Sequence, residues 1–166
     1  MTTSTRIGII SDTHEDVRMI RKAVSCMLTR KPHYVIHCGD IISPPVLELF
    51  RELPMRLVFG NNDGERSGLL KKCAELGFEP IADSLTFEVQ GKHFLVNHGT
   101  RMSTIDDAVA SQRFDYVLHG HTHEQRNDTV GKTRIINPGA LFSAESFSIA
   151  FLELPSGRVE FVDIPE

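Results

Sequence analysis

The sequence predicts an α/β fold in which two mixed β-sheets stack as a sandwich flanked by helices. Two patterns predict it. The first half alternates short apolar runs with apolar stripes at helical spacing, and the second half alternates apolar with polar residues between turn signals. Strand–helix units followed by hairpins pack as layered sheets with helices outside. A length of 166 residues fits one domain spanning 1–166.

Ile7-Gly8-Ile9-Ile10 reads as a short buried strand ending at Ser11-Asp12. From Glu15 to Arg30, apolar residues at Val17, Ile20, Val24, Met27 and Leu28 form one helical stripe. Tyr34-Val35-Ile36-His37 is a second strand, ending at Cys38-Gly39-Asp40. Ser43-Pro44 predicts an N-cap and a first-turn proline, and Val46, Leu49, Phe50 and Leu53 continue that short helix. Leu57-Val58-Phe59 is a third strand, ending at Gly60-Asn61-Asn62-Asp63. A further helix runs to Leu76, where Gly77 can close it with positive φ.

Beyond it, Leu85, Phe87 and Val89 alternate with polar residues, and Gln90-Gly91 turns the chain into His93-Phe94-Leu95-Val96. Ser103 to Asp106 resembles a capping box and predicts a helix opening there. Tyr116-Val117-Leu118 leads into Gly120-His121-Thr122-His123. Two hairpins follow, turning near Gly131 and at Pro155-Ser156-Gly157.

The apolar fraction of 40%, the charged fraction of 24% and the net charge of −4 exclude collagen-like, disulfide-scaffold and wholly disordered classes. Asp plus Glu outnumber Lys plus Arg by 22 to 18, so no stable nucleic-acid complex on a broad basic face is expected. No apolar run approaches the roughly 18 residues that span a bilayer. The polar start, Met1 to Arg6, does not read as a secretory signal. Cys26, Cys38 and Cys73 have no CxxC spacing and read as reduced thiols. The expectation is a cytoplasmic protein with no membrane attachment.

The strand ends carry the chemistry. They read Asp12-Thr13-His14, Gly39-Asp40, Gly60-Asn61, Asn97-His98-Gly99 and Gly120-His121-Thr122-His123. Carboxyl ends of parallel strands converge on one edge, where ligands bind. Asp12 and His14 are two apart, as are His121 and His123, so in extended backbone each pair points to one side. The candidate metal ligands are therefore Asp12, His14, Asp40, Asn61, His98, His121 and His123. Seven donors exceed one tetrahedral ion and suit two ions sharing a carboxylate. Imidazole and oxygen donors without thiolate favour Mn, Fe, Zn, Ni or Co over Mg or Ca. Each short motif alone is more often structural, since Asp-Gly and Asn-Asp are ordinary turn pairs. The ordered set of five is not.

In this set the sequence resembles the calcineurin-like metallophosphoesterases, whose pattern DxH, GD, GNHD, His-Gly and GHxH it follows from about Ile7 to Ala140. The short chain and Asn137-Pro138-Gly139 resemble the small bacterial and archaeal phosphodiesterase branch. The resemblance implies the αββα fold of that superfamily. It also implies two divalent transition-metal ions, Mn first, with Ni, Co, Zn or Fe as alternatives. By motif matching, Asp12, His14 and His123 would hold one ion, Asn61, His98 and His121 the other, and Asp40 would bridge them. A metal-bridging hydroxide would then attack phosphorus.

One position departs from the pattern. Asn62 stands where histidine is usual. That histidine is associated with phosphate contact and leaving-group departure, and an amide cannot give up a proton near neutral pH. Asp40 and Asn62 are the residues expected to act on substrate, with Asn62 donating to a phosphate oxygen. The expectation is a phosphodiesterase that works best on activated leaving groups such as aryl esters. A phosphomonoesterase or pyrophosphatase, and a non-catalytic scaffold resembling a retromer subunit, are the competing readings. The expected partner is a small phosphate ester, in a homo-oligomer of two or more chains.

Other residues carry weaker readings. Asn137 either orients a ligand from behind or is a turn residue. His33, His37, His93 and His119 read as structural or surface groups and Cys38 as a small buried side chain, while Arg101, which follows the His98 loop, reads as a solvated loop arginine with contact to substrate phosphate as the alternative.

Overall fold

The computed structural model describes residues 3–166. Its strands are β1 (Thr5–Ile10), β2 (Tyr34–His37), β3 (Met55–Leu57), β4 (Ser84–Val89), β5 (Lys92–Asn97), β6 (Tyr116–Leu118), β7 (Gln125–Val130), β8 (Thr133–Pro138), β9 (Ser148–Leu154) and β10 (Arg158–Asp163). Its helices are α1 (Val17–Arg30), α2 (Pro44–Leu47), α3 (Arg66–Leu76) and α4 (Met102–Ala110).

The strands form two five-stranded sheets, ordered β10-β9-β1-β2-β3 and β4-β5-β6-β8-β7. Each contains a parallel triplet, β1-β2-β3 in one and β5-β6-β8 in the other. The remaining strands, β9 and β10 in the first sheet and β4 and β7 in the second, add on antiparallel. The expected two-sheet architecture with flanking helices is the one observed.

Apolar packing sorts into three layers. Between the sheets, Ile7, Ile9 and Ile36 meet Phe94, Val96, Leu118 and Ile136. On the outer face of the first sheet, Ile10, Val35 and Phe151 pack against Met19, Ile20 and Ala23 of α1, Leu47 of α2 and Leu69 of α3. On the outer face of the second, α4 lays Ile105, Ala108 and Val109 on Leu95, Val117 and Ile135. The near-continuous apolar runs of β1 and β2 follow from burial on both faces, as parallel strands require.

Local signals differ from the sequence expectation at four places. Helix α1 starts at Val17, two residues later than the stripe suggested, because the Asp16 side chain accepts from Met19 N at 3.1 Å and caps it. Ser43 makes no capping bond, since its hydroxyl donates to Glu15 instead; α2 gives way to a single 3₁₀ turn over Glu48–Phe50. The third strand is Met55–Leu57, with Val58 forming only an isolated bridge to Ala82. The capping box at Ser103 does not form, because α4 begins two residues earlier, with Arg101 at the N-cap position and no side-chain cap. Gly77 closes α3 at φ 75°, as expected.

Candidate metal centre

The carboxyl ends of β1, β2, β5 and β6, with the loop after β3, meet at one edge of the sandwich, and all seven candidate ligands lie there. Asp12, His14 and His123 present donor atoms within 4.8 Å of one another, and so do Asp12, Asp40 and His98. Asn61 Oδ1 lies 3.0 Å from His98 Nε2 and 3.1 Å from His121 Nδ1, which joins the remaining two residues to the group. His123 Nε2 is 3.2 Å from Asp12 Oδ1, and His14 Nε2 is 3.6 Å from Asp40 Oδ2.

The backbone at these residues is not the extended chain expected for the paired ligands. Asp12, His14, Asp40, His121 and His123 have φ of 51°, 46°, 62°, 71° and 62°. Left-handed conformation in a non-glycine residue is uncommon and costs on the order of 1–3 kcal/mol each. The surrounding structure holds it. Asp12 N donates to Gly39 O and His14 N to Asp40 O, both at 3.0 Å, so the ends of β1 and β2 stay paired past the sheet.

The carboxylates are held from behind. Asp12 Oδ2 accepts from Ser11 Oγ at 2.5 Å and from His121 N at 3.0 Å. Asp40 Oδ1 accepts from Asn62 N at 2.9 Å. Buried Asp63 accepts four backbone N–H bonds: Asp40 and Gly60 to Oδ2 at 3.0 and 2.7 Å, Ile41 and Ile42 to Oδ1 at 2.7 Å each. That carboxylate shapes both ligand loops, a role the motif alone did not disclose. Glycine is required where the loops press on these groups. A Cβ at Gly60 would lie 2.2 Å from Asp40 Oδ1, and one at Gly120 would lie 2.5 Å from Asp12 Oδ2.

The imidazoles are oriented too. His98 Nδ1–H donates to Cys38 O at 2.7 Å, and His123 Nδ1–H to Ser143 O at 3.0 Å, so both turn Nε2 into the centre. His14 stacks on the exposed Phe142 ring, centroids 4.1 Å apart. Asn137 is buried beneath the loop that carries His121 and His123. Its Nδ2 donates to Gly120 O and Thr122 Oγ1 at 3.1 and 3.0 Å, and its Oδ1 accepts from Gly139 N.

His37 is buried behind the centre. Its Nδ1 accepts from Gly39 N at 3.1 Å, leaving Nε2–H to donate to Thr13 Oγ1 at 3.0 Å, and burial pushes its pKa down to about 3. Cys38 is fully buried, with its thiol pushed up by burial, which excludes a nucleophilic thiolate there. His119 bonds Gly120 O through Nδ1, and burial lowers its pKa. His33 and His93 are exposed.

The donor set fits cations. Asp12 Oδ1 and His14 Nε2 are buried without a hydrogen-bond partner. His98 Nε2 faces Asn61 Oδ1, Asp40 Oδ2 at 3.5 Å and Asp12 Oδ1 at 3.7 Å, all acceptors, while its other nitrogen is already donating. Acceptors aimed at one another need a positive charge among them. A proton answers that need in part. Burial opposes the His98 charge, but Asp40 and Asp12 outweigh it and raise its pKa. Burial likewise opposes the Asp40 charge, but the imidazoles of His14 and His98 at 3.6 and 3.5 Å and the hydrogen bond from Asn62 N hold its carboxyl far below the usual range.

Asn62 borders the same carboxylate. Its Nδ2 donates to Asp40 Oδ2 at 2.8 Å, so the amide reaches the central carboxylate from an exposed position.

Comparison with known proteins gives three kinds of likeness. The family model described as the calcineurin-like phosphoesterase superfamily domain matches residues 5–157. Phosphodiesterase MJ0936 of Methanocaldococcus jannaschii is 37% identical over 137 residues, covering 81% of this chain and 82% of that protein. A solved archaeal phosphodiesterase superposes with a TM-score of 0.89 at 32% identity, over 96% of this chain and 99% of the other. Vps29 of Entamoeba histolytica, solved with Zn²⁺, shares the fold at a TM-score of 0.69 and 17% identity, over 97% of this chain and all of the other.

Proposed function

The chain belongs to the calcineurin-like phosphoesterase superfamily and is a metal-dependent phosphoester hydrolase, and from that premise we propose a binuclear phosphodiesterase acting on small phosphate esters. Asp12, His14 and His123 would hold one divalent ion, Asn61, His98 and His121 a second, with Asp40 shared. Such ions supply Lewis acidity toward phosphate oxygens and a water that is deprotonated near neutral pH for attack on phosphorus. Mn²⁺ is the first choice, with Ni, Co, Zn or Fe as alternatives, because the donors are imidazole and oxygen.

The chain's own residues do the rest. The backbone donors behind Asp12 and the loop clamp of Asp63 fix the carboxylates before substrate arrives, which removes reorganisation from the reaction. Asn62 holds Asp40 through its amide and carries no titratable proton, so departure depends on the leaving group itself. Activated aryl diesters are therefore the best substrates. The reading includes one domain over residues 1–166, a homo-oligomer and a cytoplasmic setting. Among the described residues no helix is long and apolar enough to cross a membrane, and Cys26, Cys38 and Cys73 are free.

The observation that carries the reading is the pair of donor groups sharing buried Asp12, with two polar atoms left unpartnered between them. That complete donor set also weighs against the scaffold alternative. The test is hydrolysis of bis-p-nitrophenyl phosphate and p-nitrophenyl phosphate after metal is stripped and Mn²⁺ restored, with His98→Ala as control. Metal-dependent cleavage favouring the diester, lost in the variant, is the expected outcome. No cleavage with Mn, Ni, Co or Zn, despite two bound ions, overturns it.

A further inference from the structure

On the Asn61–His98 flank of the centre, a cleft of 590 Å³ opens to solvent. Gly60, Asn61 and His98 are among its lining residues, so it is continuous with the candidate ligands. Arg66, Arg101 and Thr104 line it as well. Arg66 is fixed in place. Its guanidinium pairs with Asp83 at 2.8 Å and lies 4.3 Å above the Phe59 ring. The amide of Asn97 also serves the cleft wall: Oδ1 accepts from Gly99 N at 2.9 Å, and Nδ2 donates to Ser84 Oγ at 2.7 Å.

Arg101 is different. It is exposed, and among the described residues its side chain makes neither an ion pair nor a hydrogen bond. Two guanidiniums against one Asp83 carboxylate leave the cleft with one uncompensated positive charge. A simple diester carries one negative charge, on the phosphate that the metal centre would receive. The cleft therefore offers a positive charge, in a space of its own, to something more than that phosphate. A guanidinium binds phosphate or carboxylate through two parallel hydrogen bonds, which suits recognition of a defined anion.

We propose that this cleft is a subsite for a second anionic group, a phosphate or carboxylate borne on the non-departing arm of the diester. The proposal rests on the phosphodiesterase reading for its substrate class and on Arg101 for its specificity.

The test uses three esters with one leaving group: the p-nitrophenyl phosphates of ethanol, of 2-phosphonooxyethanol and of 3-hydroxypropionate. At low salt the Mn²⁺-loaded protein is expected to cleave a charged ester with a kcat/KM about tenfold above that of the ethyl ester, mainly through KM. Which charged ester gains more separates phosphate from carboxylate. Arg101→Gln is expected to bring the ratio to about one while changing the ethyl ester less than about twofold, and Arg101→Lys to restore part of it. No preference in the wild type, or a preference that survives Arg101→Gln, overturns the subsite. Calorimetry separates this from failure of the parent reading. Ethane-1,2-diyl bisphosphate and ethyl phosphate are titrated into the same Mn²⁺-loaded protein and its Arg101→Gln variant. If no ester is cleaved, tighter binding of the bisphosphate that needs Arg101 still upholds the subsite, and equal affinities overturn it.

Discussion

The candidate centre has a buried half and a rim half, and they are built differently. Asp12, Asp40 and His98 are 0, 1 and 2% exposed, while His14, His121 and His123 are half-buried and Asn61 is exposed. The buried half is braced by backbone: Ser11 and His121 N behind Asp12, Asn62 N on Asp40, and the Asp63 clamp under two loops. The rim residues are braced by side-chain contacts and single carbonyls instead, as His123 by Ser143 O, His14 by the Phe142 ring and His121 by Asn61 Oδ1. Both carboxylates and one imidazole, His98, are thus placed where desolvation is greatest and fixed in advance, and the other three imidazoles and Asn61 are left where they can adjust. That division predicts that damage to the buried half is far more costly.

The largest contrast is between Asp40→Ala and Asn61→Ala. Loss of the carboxylate proposed to bridge the two ions is expected to cut diesterase activity by at least about 10³-fold and to lower bound metal below two ions per chain, measured by elemental analysis. Asn61→Ala is expected to cost about 10–100-fold and to be offset by added metal. Equal losses would erase the proposed division.

Asp63→Ala comes next. Four buried N–H groups lose their acceptor, so stability is expected to fall by about 3 kcal/mol in urea denaturation. A change under about 1 kcal/mol would show that the clamp does not hold the loops.

His37 tests the floor beneath the buried half by pH. Its folded pKa is about 3 against an ordinary 6.5. Above pH 6.5 the residue is neutral in both states. As pH falls below 6.5, the unfolded chain takes up a proton that the fold excludes, and stability drops by about 1.4 kcal/mol per unit until the folded pKa is reached. At pH 4.5 the loss is about 2–3 kcal/mol, and a His37→Gln variant should lack that part of the slope. Parallel stability profiles for the two proteins would count against a buried neutral imidazole.

The smallest effect belongs to the rim. Asn137→Ala frees the loop that carries His121 and His123, and should weaken metal affinity about tenfold with little loss of stability. Unchanged affinity in a competitive chelator titration would leave Asn137 as a turn residue only.

Much of the centre was legible in the sequence. Asp12, His14, Asp40, Asn61, His98, His121 and His123 are metal-binding residue types set beside apolar runs, and parallel strands bring their carboxyl ends together. The two-sheet fold followed from the change of period between the halves. What escaped was conformational. The spacing of Asp12 and His14 suggested an extended pair, whereas both residues are left-handed. The Ser103 capping box was a plausible local signal, yet α4 starts where Ile105 and Val109 must face β5 and β6. Arg66 and Arg101 lie 35 residues apart in sequence and share a wall only in the fold.

By itself, the sequence determined which atoms could bind metal, which runs would be buried and which family pattern the chain follows. Those properties belong to residue type and local period, and they survive in any arrangement that pairs the strands in parallel. Tertiary structure alone decided that Asp63 would grip four backbone amides, that Gly60 and Gly120 would make room for two carboxylates, and that acceptors would be pressed together until they require a cation. These depend on contacts between distant segments. Only the packed sandwich supplies the force that holds so many residues in conformations and electrostatic company they would otherwise leave.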